Sequence, residues 1–214
     1  VTPANDLWAG TLAAWAEDLR RRAKGRHNMV SSALSKELAD RTRLENYLET
    51  EENEAFFFFG HGSWRSLDGK DPLLDQQNIG LLSGKPVVAI ACRSAQTLGK
   101  EAVEPPLGVR SYLGFSDDLA WLPERSSLFG NAVVSGLEPL LKGQTSGAAR
   151  DQLKSKLEGL VHRYKYDEPR TDKFGPFIWL VAFWDSEHVR LWGDPSSTLH
   201  TEEYSEVIQS ASDV

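Results

Sequence analysis

The segment Ala55-Phe56-Phe57-Phe58-Phe59-Gly60-His61-Gly62-Ser63 decides how the chain reads. Four consecutive aromatics cannot all face one side of a regular element. They read as a strand buried on both faces, as in a parallel sheet with helices above and below. The strand ends in Gly-His-Gly. A histidine delivered to the tip of a central strand, between residues that let backbone approach a ligand closely, is a candidate site. The same residues also fit a strand followed by a loop that happens to hold a histidine.

Two later runs repeat the pattern. Val87-Val88-Ala89-Ile90-Ala91 is short, apolar and uninterrupted, and it ends at Cys92; residues 109–115 read as a third strand running out into Ser116-Asp117-Asp118. Helical periodicity surrounds these strands. Trp8, Leu12, Trp15 and Leu19 form one stripe over residues 5–23, with Asn5 or Asp6 as cap and Gly25 as stop. Helices are further expected over residues 37–51, 75–82, 95–103, 125–142 and 145–164, with Gly143 ending the fourth of these. Residues 29–34 read as a short strand and 63–72 as a loop or small hairpin. Residues 165–175 read as a loop, 177–184 as a strand or a buried short helix, 188–195 as a last strand, and 196–214 as a polar, partly loose tail. Strands alternating with helices predict an α/β sandwich with a mostly parallel sheet. Ligands of such sheets sit beyond the carboxyl ends of the strands. If the three strands are parallel neighbours, His61, Cys92 and the Asp117-Asp118 pair share one sheet edge.

Composition bounds the partners. The 214 residues suffice for one sizeable α/β domain, and 40% hydrophobic with 26% charged residues predicts a folded soluble protein. A net charge of −7 argues against nucleic acid as a partner. The one basic run, Arg20-Arg21-Arg22-Ala23-Lys24-Gly25-Arg26, falls at a helix end, where cations suit the dipole. Cys92 is the only cysteine, which excludes a disulfide scaffold. No apolar run approaches the roughly 20 residues of a membrane span and no signal peptide opens the chain, so the expected location is cytoplasmic. A start at Val1 leads us to expect a domain of a larger protein or a processed product.

A cysteine at a strand end near a histidine is the arrangement that thiol nucleophilic catalysis needs. The histidine polarises the thiol or protonates the leaving amine, and a helix starting just after Cys92 would lower the thiol pKa. A lone cysteine beside an apolar run is also, commonly, a small buried hydrophobe. Other chemistries lack their signatures. Ile90-Ala91-Cys92-Arg93-Ser94 has neither glycine of a nucleophile elbow. No Gly-rich phosphate loop is present, and the five histidines have no metal-ligand spacing, so neither a cofactor nor a metal is expected.

Phe58-Phe59-Gly60-His61-Gly62 followed by Ile90-Ala91-Cys92-Arg93-Ser94 resembles the caspase-like cysteine peptidases. Within these it is most similar to the CHAT family, which includes relatives of separase; the gingipains are more distant kin. The family pattern is an apolar strand ending in His-Gly, then one ending in Ala-Cys-x-Ser. Ala91-Cys92-Arg93 also overlaps the caspase run Gln-Ala-Cys-Arg-Gly and departs from it at Ile90 and Ser94. Leu38-Ala39-Asp40-Arg41-Thr42-Arg43-Leu44, Tyr112-Leu113-Gly114-Phe115-Ser116-Asp117-Asp118, Leu141-Lys142-Gly143-Gln144-Thr145 and Leu191-Trp192-Gly193-Asp194-Pro195 are similar to later family elements in order, so the likeness covers residues 35–195. Gly114 stands where the family usually has a tryptophan. A strand normally precedes the first helix of such folds, and none is visible before Asp6.

The resemblance implies a single caspase-like, three-layer α/β/α domain over residues 1–214. It implies a thiol endopeptidase in which Cys92 attacks the scissile carbonyl and His61 protonates the leaving amine. The backbone N–H groups of Gly62 and Cys92 would form the oxyanion hole, worth about 3 kcal/mol per donor. Asp118 first, and Asp117 second, would receive a basic side chain before the cleaved bond; by themselves the two also fit a helix cap or a solvated turn. The implied partners are a protein or peptide substrate and a regulatory protein or sensor domain. Against this stand a catalytically silent caspase-like interaction module and a thiol hydrolase of small esters.

Overall fold

The computed structural model describes residues 1–3, 6–27, 29, 31–35, 39–50, 54–167 and 172–199. Two helices, α1 (Leu7–His27) and α2 (Arg41–Thr50), precede the aromatic strand β1 (Phe56–Phe59). Three short strands follow, β2 (His61–Gly62), β3 (Ser66–Asp68) and β4 (Pro72–Asp75), and then β5 (Pro86–Ile90), α3 (Leu98–Ala102) and β6 (Ser111–Phe115). Three helices, α4 (Ser126–Leu141), α5 (Ser146–His162) and α6 (Gly175–His188), lead to β7 (Val189–Gly193).

The phenylalanine run behaves as its composition requires. Successive strand side chains point to opposite faces, so Phe56 and Phe58 enter one apolar cluster while Phe57 and Phe59 join another. β5 splits the same way, with Val87 and Ala89 on one side and Val88 and Ile90 on the other, and β6 divides Tyr112 from Leu113 and Phe115. One cluster is completed by Leu12, Trp15 and Leu19 of α1 and by apolar residues of α4, α5 and α6. The other is completed by Leu44 and Leu48 of α2, Leu98 and Ala102 of α3, and Leu67, Leu73 and Leu74 of the small strands. Both faces of the sheet are therefore covered.

The main sheet has the order β1-β5-β6-β7, with β1/β5 and β5/β6 parallel and β6/β7 antiparallel. Residues 63–72 fold into the hairpin alternative: β2, β3 and β4 make a second, antiparallel sheet. The chain is an α/β domain with mixed sheets. Val1 continues the main sheet on the free side of β1: its N donates to Phe57 O (2.6 Å) and its O accepts from Phe59 N (3.0 Å), the alternating pattern of a parallel ladder.

Several expectations need correction. α1 runs through Gly25 to His27, because that glycine keeps helical backbone. Residues 31–34 form no strand; only an isolated bridge joins Ser35 to Thr2, and residues 28 and 30 lie outside the described residues. Residues 37, 38 and 51, at the ends of the second expected helix, also lie outside them. The helix expected over 75–82 is a single 3₁₀ turn, Ile79–Leu82, and that expected over 95–103 shrinks to α3. Residues 165–167, expected as loop, belong to a π-helical turn, Arg163–Asp167, that extends α5. Residues 177–184 are helical, but not buried as expected. α6 turns Gly175, Ile178, Ala182, Asp185 and Ser186 inward and leaves Phe177, Leu180, Phe183 and Trp184 43–58% exposed. The start of the tail is anchored: the buried hydroxyls of Ser111, Ser146 and Ser197 bond one another at 2.5–2.9 Å, and Leu199 is buried. Residues 200–214 lie outside the described part.

The three consecutive arginines of the basic run are paired locally. Arg20 pairs with Glu17, Arg21 with Asp18, and Arg22 with Asp18 and with Glu138 of α4 (2.7 Å). No described helix is long and apolar enough to cross a membrane.

The α4–α5 contact gives a stability test. A Cβ on Gly136 of α4 would lie 2.6 Å from Leu153 Cα of α5, whereas one on Gly159 of α5 meets open space. Gly136→Ala is expected to destabilise the fold by about 1–3 kcal/mol through overpacking. Gly159→Ala is expected to stabilise it by about 0.5–1 kcal/mol through helix propensity. Urea denaturation of the two variants measures both; equal shifts would contradict the packing of these helices.

Candidate functional site

Adjacent parallel strands end on the same side. The carboxyl ends of β1, β5 and β6 therefore lie side by side, and the chain leaves them through His61, Cys92 and Asp117 respectively. The turn after β5 is held by Ser94, whose buried hydroxyl lies 3.2 Å from Ala89 O and 3.1 Å from Ala91 O. Ser94 also fills the space beside Gly114, where a Cβ would come within 2.7 Å of its Oγ. At Gly62 a Cβ would meet Ala91 Cβ at 2.8 Å and Cys92 O at 2.9 Å. Only a glycine lets the two strand ends approach so closely, and the backbones of Gly62 and Cys92 adjoin as a result.

A cleft of about 260 Å³ opens at this edge. Gly60, His61 and Cys92 line it from the strand ends, Trp8 and Leu12 from α1, and residues 119–121 from the segment after β6. Trp8 meets Trp121 edge-on at 4.8 Å. Two of the expected site residues, His61 and Cys92, thus share one cleft, and Gly62 lies against Cys92.

His61 is held by a residue that the sequence reading treated only as a cap. Asp6 does cap α1, its Oδ1 accepting from Ala9 N at 2.9 Å, while its Oδ2 lies 2.6 Å from His61 Nε2. The Ala9 amide, and after it His61, keeps the Asp6 carboxyl below the usual carboxylate range. One carboxylate thereby fixes both the start of α1 and the orientation of the histidine ring.

Cys92 differs from expectation. Its thiol faces Leu119 O at 3.8 Å, and burial pushes its pKa up rather than down, with the negative charge of Asp118 acting in the same direction. The helix expected immediately after it begins only at Leu98 and has five residues, too far and too short to supply the dipole that lowers a thiol pKa. Burial thus favours the neutral thiol over the thiolate.

Asp117 and Asp118 stand at the same edge but do not line the cleft. Arg93 takes both: its guanidinium lies 2.8 Å from Asp118 Oδ2 and 3.6 Å from Asp117 Oδ1, and its backbone N donates to Asp117 O at 3.0 Å. Arg93 has φ 55°, a left-handed backbone unusual for a side chain of this size. Trp184 Nε1 donates to Asp118 O at 2.8 Å, tying the pair to α6.

A further acidic residue was not anticipated. Asp185 of α6 is 1% exposed; its Oδ1 accepts from Ala120 N at 3.0 Å, and its Oδ2 has no partner among the described residues. The peptide joining Leu119 to Ala120 thus receives the Cys92 thiol on its carbonyl and donates its N–H to Asp185. Burial raises the Asp185 carboxyl well above its ordinary value.

That shift predicts a pH-dependent strain. The folded chain holds the Asp185 proton to higher pH than the unfolded chain, so stability must fall as pH rises above about 4, through the folded pKa. Asp185→Asn keeps an acceptor for Ala120 N and cannot ionise. Its stability advantage over the native chain is expected to be near zero at pH 4 and to grow toward pH 8. Denaturant titrations across that range test this, and a constant difference would contradict it. No family model matches the chain, and no curated protein and no solved structure is significantly similar to it.

Proposed function

We propose that the chain is a caspase-like cysteine endopeptidase of the CHAT type, with His61 and Cys92 as its catalytic pair. The observation that carries this is the single cleft lined by both residues, with the Gly62 backbone against Cys92. Helices on both faces of the main sheet and the parallel pairing of Val1 ahead of α1 support the caspase-like architecture.

In the reaction, Cys92 Sγ passes its proton to His61 and attacks the scissile carbonyl. The developing oxyanion is received by the N–H groups of Gly62 and Cys92. His61 donates a proton to the leaving amine as the C–N bond breaks, and water then hydrolyses the thioester. Asp6 positions the His61 ring by holding Nε2, the role of the third group in a nucleophile–base–orienter arrangement. The protonated, carbonyl-bound thiol is an unactivated ground state, which fits an enzyme switched on by a sensor domain or regulatory protein in the cytoplasm. The substrate is a protein or peptide, with a basic residue before the cleaved bond. For Asp118 or Asp117 to receive that residue, Arg93 must first be displaced.

The same resting thiol is what favours the second reading, a catalytically silent caspase-like module. A peptidyl-arginine acyloxymethylketone separates the two. Under the peptidase assignment it labels the chain at Cys92, and Cys92→Ala or His61→Ala removes labelling by at least about a hundredfold. Failure to label Cys92 in the native chain, alone and within its full-length protein, would eliminate catalysis.

Asp6 has its own test. Asp6→Asn keeps the helix cap, because asparagine caps as well as aspartate, and removes only the charge facing His61. Turnover of a peptide substrate is expected to fall by about tenfold to a hundredfold with KM and melting temperature little changed. In a His61→Ala background the same substitution should do nothing, since the two act as a unit. An undiminished kcat would remove Asp6 from the mechanism.

A further inference from the structure

We propose that the outward face of α6 is a self-association surface, through which two copies of the chain pair as an antiparallel, two-fold symmetric dimer. This pairing is independent of the peptidase assignment and uses none of the residues that line the cleft.

α6 carries apolar side chains both inward and outward. Ile178 and Ala182 face the core, while Phe177, Leu180, Phe183 and Trp184 stand outward, each at least 43% exposed. A helix that is apolar all round is normally covered all round, and four large apolar side chains on one bare helix face mark an interaction surface. That face is preformed in part. Trp184 Nε1 donates to Asp118 O at 2.8 Å, and its ring lies 4.2 Å from that of His188, so covering it costs little side-chain freedom.

The order of residues along this face selects the occupant. With Leu180 as centre, Phe177 and Phe183 follow three residues to either side, Pro176 and Trp184 four, and Lys173 and Glu187 seven. All of them are exposed; Lys173 belongs to the turn just ahead of α6. At about 100° per residue, Leu180 lies in the middle of the outward face, opposite Ile178 and Ala182. The two phenylalanines fall about 60° to opposite sides of it, and Pro176 and Trp184 about 40°. The face is therefore apolar at its five central positions and oppositely charged at its two ends.

Such a face complements itself when two helices run antiparallel. A two-fold axis at Leu180 sets that residue against its own copy. Across the seam, Phe177 comes level with Phe183 of the second copy, Pro176 with Trp184, and Lys173 with Glu187. Apolar side chains meet in the middle and opposite charges close both ends. A parallel pair would instead face lysine with lysine and glutamate with glutamate. Glu187 already has Lys154 at 3.6 Å, but that contact is about half exposed and leaves the carboxylate open to a second cation. An anionic membrane suits this face less well, because Glu187 stands on it and the chain carries a net charge of −7. One helix face buries less than the roughly 800 Å² per partner of a standard interface. The dimer is therefore expected to be reversible, with a dissociation constant of about 10 µM.

Sedimentation equilibrium of the chain between about 1 and 500 µM tests this. The average mass is expected to rise with concentration from 23.8 kDa toward twice that value. Leu180→Glu, which puts two like charges on the axis, should weaken association by at least about thirtyfold. Lys173→Glu and Glu187→Lys should each weaken it by about threefold, and the double variant, which exchanges the two charges, should return close to the native value. In a Cys92→Ala background, Leu180→Cys is expected to cross-link to its own copy under mild oxidation, whereas Glu187→Cys, far from the axis, is not. Near-UV circular dichroism checks that Leu180→Glu keeps the fold; should it be lost, Phe177→Ser, at the most exposed position of the face, replaces it with a weakening of about tenfold expected. A monomer throughout the range overturns the proposal, as does a dimer indifferent to the α6 substitution or a charge-exchanged variant no better than the single ones. Other occupants would also leave a monomer. Truncation after Leu199 would then raise apolar-dye binding if residues 200–214 cover the face, and Leu180-dependent binding to phosphatidylcholine–phosphatidylserine vesicles would identify a membrane; either result overturns the dimer.

Discussion

The structure depends on the parallel registration of three short strands. Phe59 is opposite Ile90, and Ala89 is opposite Gly114. With this register, three chain segments that are distant in sequence leave the sheet within one small area. Parallel pairing has a cost in composition. Both faces must be covered, so every residue of β5 and β6 is buried, and no polar side chain can mark the site before the strand ends. Chemistry is thereby confined to the first residues after each strand. The small antiparallel sheet serves the same end: by pairing His61 with Asp68 and Gly62 with Leu67, it fixes the chain that would otherwise drift away from β1 as a free loop.

What was legible in the sequence follows from this constraint. The phenylalanine run and the Val-Val-Ala-Ile-Ala run could be read because unbroken apolarity has few explanations other than a two-sided burial. That His61 and Cys92 come together could be read because they follow two apolar runs whose parallel pairing brings the strand ends side by side. α6 could not be read correctly. Its large aromatics suggested the interior, yet the helix puts small and polar residues inward and its aromatics outward, an inversion of the usual amphipathic pattern. Asp185 was hidden for the same reason: between Trp184 and Ser186 it looks like a solvated position, and only the burial of that helical face reveals it. Asp6 was legible as a cap, since capping is local, but its contact with His61, 55 positions away, depends on how α1 crosses the sheet edge. The direction of the thiol shift likewise turned on where α3 begins, a boundary of a few residues that composition alone does not set.

The site combines groups in opposed electrostatic states. Asp6 is exposed to solvent and favours its charged form through the α1 amides and His61. Asp185 is sealed and favours its neutral form. Cys92 lies between solvent and core and is kept neutral by burial. A histidine ring held by a carboxylate thus shares one cleft with a thiol whose neutral form burial favours. Under the proposed peptidase assignment, activation would require only a change in what surrounds the thiol.

The Leu119–Ala120 peptide connects two of these groups through a rigid amide plane. Its carbonyl and its N–H cannot be reoriented separately. A displacement of Asp185 that carries Ala120 N with it therefore also turns the carbonyl facing Cys92, so the surroundings of the buried acid and of the sulfur are linked quantities.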